Sequence, residues 1–219
     1  MSLDLIEVET GPVPVGTIIW MHGLGADGHD FEPIVPELVR PNERALRFVF
    51  PHAPVRPVTL NAGYAMRAWY DIIGIDRRSK QDEAGIRASH SIVEALIRRE
   101  NERGIATNRI VVAGFSQGGA MALYSGTRYP EKLAGIMGLS CYMLLDTRFA
   151  TERVPANQAT PIFLAHGTQD PVVNPLLGEE TRRLLESEGY SVEWHTYPMP
   201  HSVCPQEVAD IAAWLRRII

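Results

Sequence analysis

A chain of 219 residues with 45% hydrophobic content fits one globular domain, residues 1–219, that buries about 70% of its unfolded surface and needs no staples. Lys and Arg number 21 against 26 Asp and Glu, and the net charge of -5 argues against nucleic acid as a partner. The start, MSLDLIEVET, has acids where a signal peptide needs positive charge, and the longest nearly apolar run, Leu133 to Leu145, falls short of the roughly 18 residues of a membrane span. The expectation is a cytoplasmic protein with no integral membrane association. Its two cysteines, Cys141 and Cys204, suit neither a disulfide framework nor a metal site.

Short apolar runs alternate with helix-period segments, the pattern of an α/β fold with a mostly parallel central sheet and helices on both faces. In chain order, strands are expected at GTIIWM (16–21), LRFVF (46–50), RIVVAGF (109–115), KLAGIMGL (132–139), PIFLAHG (161–167) and VEWHTYP (192–198). Helices are expected near Phe31 to Arg40, Glu83 to Arg103, Gln117 to Arg128, Pro175 to Glu188 and Pro205 to Ile219. The last is the clearest, because Val208, Ile211, Ala212, Leu215, Ile218 and Ile219 recur at i, i+3, i+4 and i+7. Asn174 before Pro175 reads as an N-cap and first helical position, while Gly104 and Gly189 sit where helices stop. Between Pro51 and Gly74 no period is sustained; the segment reads as an ordered loop without elements, of a length that is usually functional.

VVAGFSQGGAMAL, Val111 to Leu123, passes from strand to helix with Ser116 at the join, inside Gly-x-Ser-x-Gly. A nucleophile on so sharp a turn needs glycines beside it, and the helix starting at Gln117 aims backbone N–H groups at the place where negative charge develops in acyl transfer. The five-residue pattern alone arises by chance in roughly one chain in fourteen of this length; its place between strand and helix gives it weight. A serine hydroxyl needs a base and the base an orienting acid, which in this kind of fold follow in the order Ser, Asp or Glu, His. Asp170 in HGTQDPVV is the best-placed acid, with Asp146 second and a plain Asp-Pro turn as the bland alternative. His201 in YPMPHSV is preferred as base over His195, which sits inside a strand. The oxyanion donors would be the N–H groups of Gln117 and of Leu24 in the glycine-rich loop MHGLGADGHDF; His22 reads as holding that loop rather than reacting. The remaining histidines show no metal-ligand grouping, and no metal is expected.

With those pieces placed, the chain resembles the bacterial carboxylesterases and acyl-protein thioesterases of the phospholipase/carboxylesterase family, within the α/β-hydrolase fold without a large cap domain. The resemblance rests on MHGLGADGHDF, FPHAPVRPVTLNAGYAMRAWYDI, AGFSQGGAMAL, HGTQDPVV and YPMPHSV, in the family's order over nearly the whole chain. It implies Ser116 as nucleophile, Asp170 as acid, His201 as base, and Leu24 and Gln117 as oxyanion donors. It also implies hydrolysis of short- to medium-chain carboxylic esters or thioesters without a cofactor, on a small-molecule ester or an acylated protein. Lysophospholipid or long-chain acyl-protein substrates are the alternative reading, and a hydrolase-fold binding protein without chemistry is the reading from another class. Similar bacterial members tend to be dimers, so a homodimer is expected. Residues 51–74 resemble the family's flap over the active site, with Leu60, Met66, Trp69 and Tyr70 either lining the acyl pocket or, for Trp69 and Tyr70, pinning the loop. Pro200 stands where the family usually has Gly, and Cys141 where small or hydroxyl-bearing residues are common.

Overall fold

The structure, a computed structural model, describes residues 4–40, 43–74 and 80–219. Among the described residues nine strands form two sheets: β1 (Leu5–Glu9), β2 (Gly16–Met21), β3 (Leu46–Pro51), β4 (Val55–Val58), β5 (Tyr64–Arg67), β6 (Ile110–Phe115), β7 (Gly135–Leu139), β8 (Ile162–Gly167) and β9 (Val192–Tyr197). The central sheet runs β1-β3-β2-β6-β7-β8-β9, parallel throughout except for β1, which pairs antiparallel with β3. The α-helices are α1 (Val35–Leu38), α2 (Glu83–Glu102), α3 (Gln117–Gly126), α4 (Phe149–Glu152), α5 (Pro175–Ser187) and α6 (Pro205–Ile218).

Every residue of β2, β3, β7 and β8 is buried, which explains why these strands read as continuous apolar runs rather than alternating ones. Alternation survives in where the side chains go. Ile19, Met21, Val49, Val112, Ile136 and Leu164 join one core with α2 and α3, whereas Ile18, Trp20, Phe48, Val111, Met137 and Phe163 join the other with α1 and α6. Asp82 accepts from the Gly85 N–H to cap α2, and Asn174 caps α5 through the Leu176 N–H with Pro175 at the first helical position.

Three expectations change. The helix expected over 31–40 contracts to a 3₁₀ turn, Glu32–Ile34, and the four residues of α1, because Pro33 and Pro36 lack amide donors and Val39 is already extended at φ -128°. An antiparallel edge strand, β1, occupies Leu5–Glu9, ahead of the first strand expected from the sequence. Residues 51–74 are not without elements, since β4 and β5 pair as a hairpin around the 3₁₀ turn Thr59–Asn61. Ala62 and Gly63 turn the chain there in the left-handed region, at φ 54° and 77°. The ribbon is mostly exposed and buries no regular face, so it carried no hydrophobic period.

Candidate active site

At Gly114 and Gly118 the turn after β6 leaves no room for a side chain. A Cβ on Gly114 would lie 2.3 Å from the Gly118 carbonyl carbon, and one on Gly118 would lie 2.3 Å from the Met21 carbonyl oxygen. Ser116 itself adopts φ 55° and ψ -119°, a strained backbone for a residue with a side chain. It is held there by its N–H donating to the Leu139 oxygen at 2.8 Å and its carbonyl accepting from the Ala120 N–H at 3.0 Å. The strain turns the hydroxyl out of the sheet edge and places it at the N-terminus of α3.

Three strand ends converge on that hydroxyl. His201, in the turn between β9 and α6, brings Nε2 to 2.9 Å from Ser116 Oγ and donates from Nδ1 to Asp170 Oδ2 at 2.6 Å. This pairing leaves Nε2 as the acceptor for the serine proton. Asp170, in the turn after β8, is buried, and its Oδ1 accepts from the N–H groups of Val172 and Val173 at 2.8 and 2.9 Å. One carboxylate thus closes the turn through Oδ1 and meets His201 through Oδ2. Asp146 instead opens a 3₁₀ turn and accepts from the Thr147 N–H, and His195 stacks on Phe163 and pairs with Glu193, so neither makes the bond to the serine–histidine pair.

Pro200 is compatible with this geometry because its carbonyl, not its missing N–H, is used, accepting from Ser202 at 2.9 Å. The turn presses so closely on the end of β8 that a Cβ on Gly167 would meet the Met199 oxygen at 2.4 Å. Phe115 packs its ring 4.7 Å from the imidazole of His201.

His166, four residues before Asp170, has no motif of its own in the sequence, yet it lies against the Asp170 carboxylate. Its Nε2 lies 2.9 Å from the Val173 oxygen and 3.4 Å from Asp170 Oδ2, so it must donate, and it braces the loop that holds the carboxylate. Burial lowers its basicity below that of an ordinary histidine. The signal lay in the spacing of HGTQD, which places both side chains at the end of one buried strand.

The loop after β2 approaches from the other side. A Cβ on Gly23, the residue before Leu24, would lie 3.5 Å from Ser116 Cβ. His22 is buried, donating from Nδ1 to the Gly23 oxygen at 2.7 Å and accepting from the Ala53 N–H at Nε2 at 3.0 Å. It ties two loops together, as its sequence context suggested. The end of β5 meets this loop, with the Gly25 N–H donating to the Arg67 oxygen at 2.9 Å. Of the flap residues expected at an acyl pocket, Leu60 is 45% exposed and Met66 is half-buried, its sulfur 3.6 Å from where a Cβ on Gly25 would lie. Trp69 and Tyr70 are buried in the core, and Trp69 donates its indole N–H to the His22 oxygen at 2.9 Å. Cys141 is also buried, and desolvation pushes its thiol up, away from the reactive thiolate. Its Sγ fills space beside α3, about where side chains on Gly119 and Gly138 would otherwise sit. Among the described residues no group of three or more His, Cys, Asp or Glu side chains is placed to hold a metal ion.

The sequence profile of the phospholipase/carboxylesterase family matches residues 6–219. The chain belongs to that family. Acyl-protein thioesterase 1 of Neurospora crassa is 48% identical over 210 residues, covering 91% of this chain and 85% of that protein. Acyl-protein thioesterase 1 of Mycosarcoma maydis is 40% identical over 230 residues, covering 98% and 96%. Among solved structures, Arabidopsis thaliana SOBER1 superposes with a TM-score of 0.86 at 31% identity, covering 92% of this chain and 98% of its own. Zea mays acyl-protein thioesterase 2 superposes with a TM-score of 0.84 at 28% identity, covering 97% of both. The fold is that of the α/β-hydrolases, and this phospholipase/carboxylesterase-family protein is a hydrolase acting on esters.

Proposed function

We propose that the chain works as a single domain that hydrolyses short- to medium-chain carboxylic esters and thioesters through an acyl-enzyme on Ser116. The observation that carries this is the unbroken chain Ser116 Oγ, His201 Nε2, His201 Nδ1, Asp170 Oδ2, with separations of 2.9 and 2.6 Å at its two hydrogen bonds. Ser116 Oγ attacks the carbonyl carbon while its proton passes to His201 Nε2. Asp170 holds the imidazole in the required tautomer and stabilises the imidazolium that forms. The N–H groups of Gln117 and Leu24 receive the carbonyl oxygen as it gains charge. Collapse of the tetrahedral intermediate breaks the bond to the alcohol or thiol, which leaves with the proton from His201. Water then attacks the acyl-enzyme, giving a proton to the same nitrogen, and releases the acid and Ser116. Leu60 and Met66, on the hairpin above the oxyanion loop, form the outer wall of the acyl site, with Trp69 and Tyr70 beneath them.

A second reading, action on long acyl chains carried by proteins, is favoured by the names of relatives that are 40–48% identical. The two are separated by kcat/KM on p-nitrophenyl esters from acetate to palmitate beside matched acyl thioesters, with wild type and Ser116→Ala. A maximum at short chains that disappears in the variant supports the small-ester reading, and equal or higher rates on long thioesters support the other. No Ser116-dependent hydrolysis of any of them refutes both. The protein is further proposed to act in the cytoplasm as a homodimer, in keeping with the family resemblance. Among the described residues no helix is long and apolar enough to cross a membrane. Light scattering on the purified chain tests the dimer.

A further inference from the structure

Gln117 carries more than a backbone donor. Its side chain is buried and makes two hydrogen bonds to consecutive residues of the flap: Oε1 accepts from the Trp69 N–H at 2.8 Å, and Nε2 donates to the Tyr70 oxygen at 2.8 Å. An amide side chain thereby satisfies one backbone donor and one backbone acceptor of adjacent residues. The same flap segment grips the other half of the oxyanion hole. The Arg67 oxygen accepts from the Gly25 N–H, and the Trp69 indole donates to the His22 oxygen, on either side of Leu24. Ser89 Oγ, from α2, donates to the Trp69 oxygen and ties the ribbon down from behind. Arg67, Trp69 and Tyr70 therefore bond to the residue proposed to carry one oxyanion donor and to the chain on both sides of the residue proposed to carry the other.

We propose that the Gln117 side chain is a positioning element of the oxyanion hole: by clamping the flap ribbon it sets the direction of its own N–H relative to that of Leu24, so the hole is assembled only when the flap is docked. Gln117 is the first residue of α3 and follows a residue with positive φ, so its backbone rests on Ser116 at one side and on its own side chain at the other. Without the clamp, the two donors sit on segments that are free to shift separately. Donors act on a developing oxyanion only when aligned with it, and a misplacement of about 1 Å costs on the order of a hundredfold. The proposal rests on the esterase reading above and names a device within it.

The test compares wild type, Gln117→Leu and Gln117→Glu. Leu removes both hydrogen bonds; Glu keeps an acceptor for the Trp69 N–H but, when ionised, opposes the Tyr70 oxygen with a lone pair. Three quantities are read: amide hydrogen exchange at Trp69, kcat and KM on one ester series, and affinity for two inhibitors of the same chain length. One inhibitor is a trifluoromethyl ketone, which places an oxyanion in the hole, and the other is an ether, which does not. In Gln117→Leu, Trp69 exchange should accelerate and kcat should fall about tenfold to a hundredfold, with KM changed less than about threefold. Ketone affinity should fall with kcat/KM while ether affinity holds. Gln117→Glu should keep Trp69 protected and recover activity relative to wild type as pH falls, because the protonated acid donates to Tyr70 again. If Gln117→Leu lowers thermal stability but leaves kcat and the ketone-to-ether ratio at wild-type values, the side chain only packs the flap and the proposal is wrong. Failure of the esterase reading is seen separately, as absence of Ser116-dependent hydrolysis in wild type, while Trp69 exchange still reports the clamp.

Discussion

Glu207 provides a measurement of how this fold tolerates an isolated acid. It stands at the third position of α6, the helix entered from His201, and is fully buried, with neither carboxyl oxygen closing a hydrogen bond in the structure. Burial, helped by the nearby charge of Asp210 and opposed by the Cys204 amide, raises its pKa from 4.5 to about 8. The native state therefore keeps a proton that the unfolded chain loses above 4.5. Where the native state binds more protons, stability falls as pH rises, so the contribution is complete below 4.5, declines between 4.5 and 8, and is gone above that. At 1.36 kcal/mol for each tenfold change, the whole interval corresponds to about 5 kcal/mol, an upper bound because water and side chains relax around a buried charge. Replacing the acid by its neutral isostere, Glu207→Gln, removes this titration and leaves every other group in place. Urea unfolding of both proteins at several points from about pH 5 to about pH 8.5 then isolates it. The difference in unfolding free energy, variant minus wild type, should rise with pH by about 2–5 kcal/mol. A difference that stays level, or that moves in favour of wild type at high pH, would refute the claim that burial disfavours the charged form of this carboxyl.

Three further substitutions probe other parts of the structure. Gly118→Ala should destabilise by about 3 kcal/mol or abolish soluble expression, because its Cβ would meet the Met21 oxygen at 2.3 Å; wild-type thermal stability in that variant would contradict the close packing of the elbow. Glu100, buried on α2, accepts from Thr17 Oγ1 at 2.8 Å and from Arg47 at 2.7 Å. Glu100→Ala strands the Arg47 guanidinium, which keeps a half-exposed partner in Glu9, and should cost about 3–5 kcal/mol by denaturant unfolding while kcat is little changed. Ser116→Ala should keep the fold and lower kcat on the order of a million-fold, measured on the best ester of the series.

The parts of this protein that were legible in sequence share one property: each is dictated by burial on a regular lattice. β2, β6, β7 and β8 are covered on both faces, so their apolar runs stand out, and α6 buries one stripe of a helix, so its period stands out. Ser116, Asp170 and His201 could be ranked because each follows a strand, and strand ends on one edge of a parallel sheet are neighbours in space. The hairpin of β4 and β5 and the edge strand β1 lack a fully buried face, and their residues carry no such period. Side-chain bonds to distant backbone leave even less trace. Nothing in the letter Gln at 117 distinguishes a residue that supplies an N–H from one whose amide also grips the chain 47 and 48 positions earlier. His166 and Glu207 make the same point for charge, since each is ordinary in a local window and becomes unusual only when the loops and helices around it exclude water. Composition and period thus locate the edge of the sheet where chemistry is done, whereas the alignment of the groups at that edge is set by contacts between segments that sequence keeps far apart.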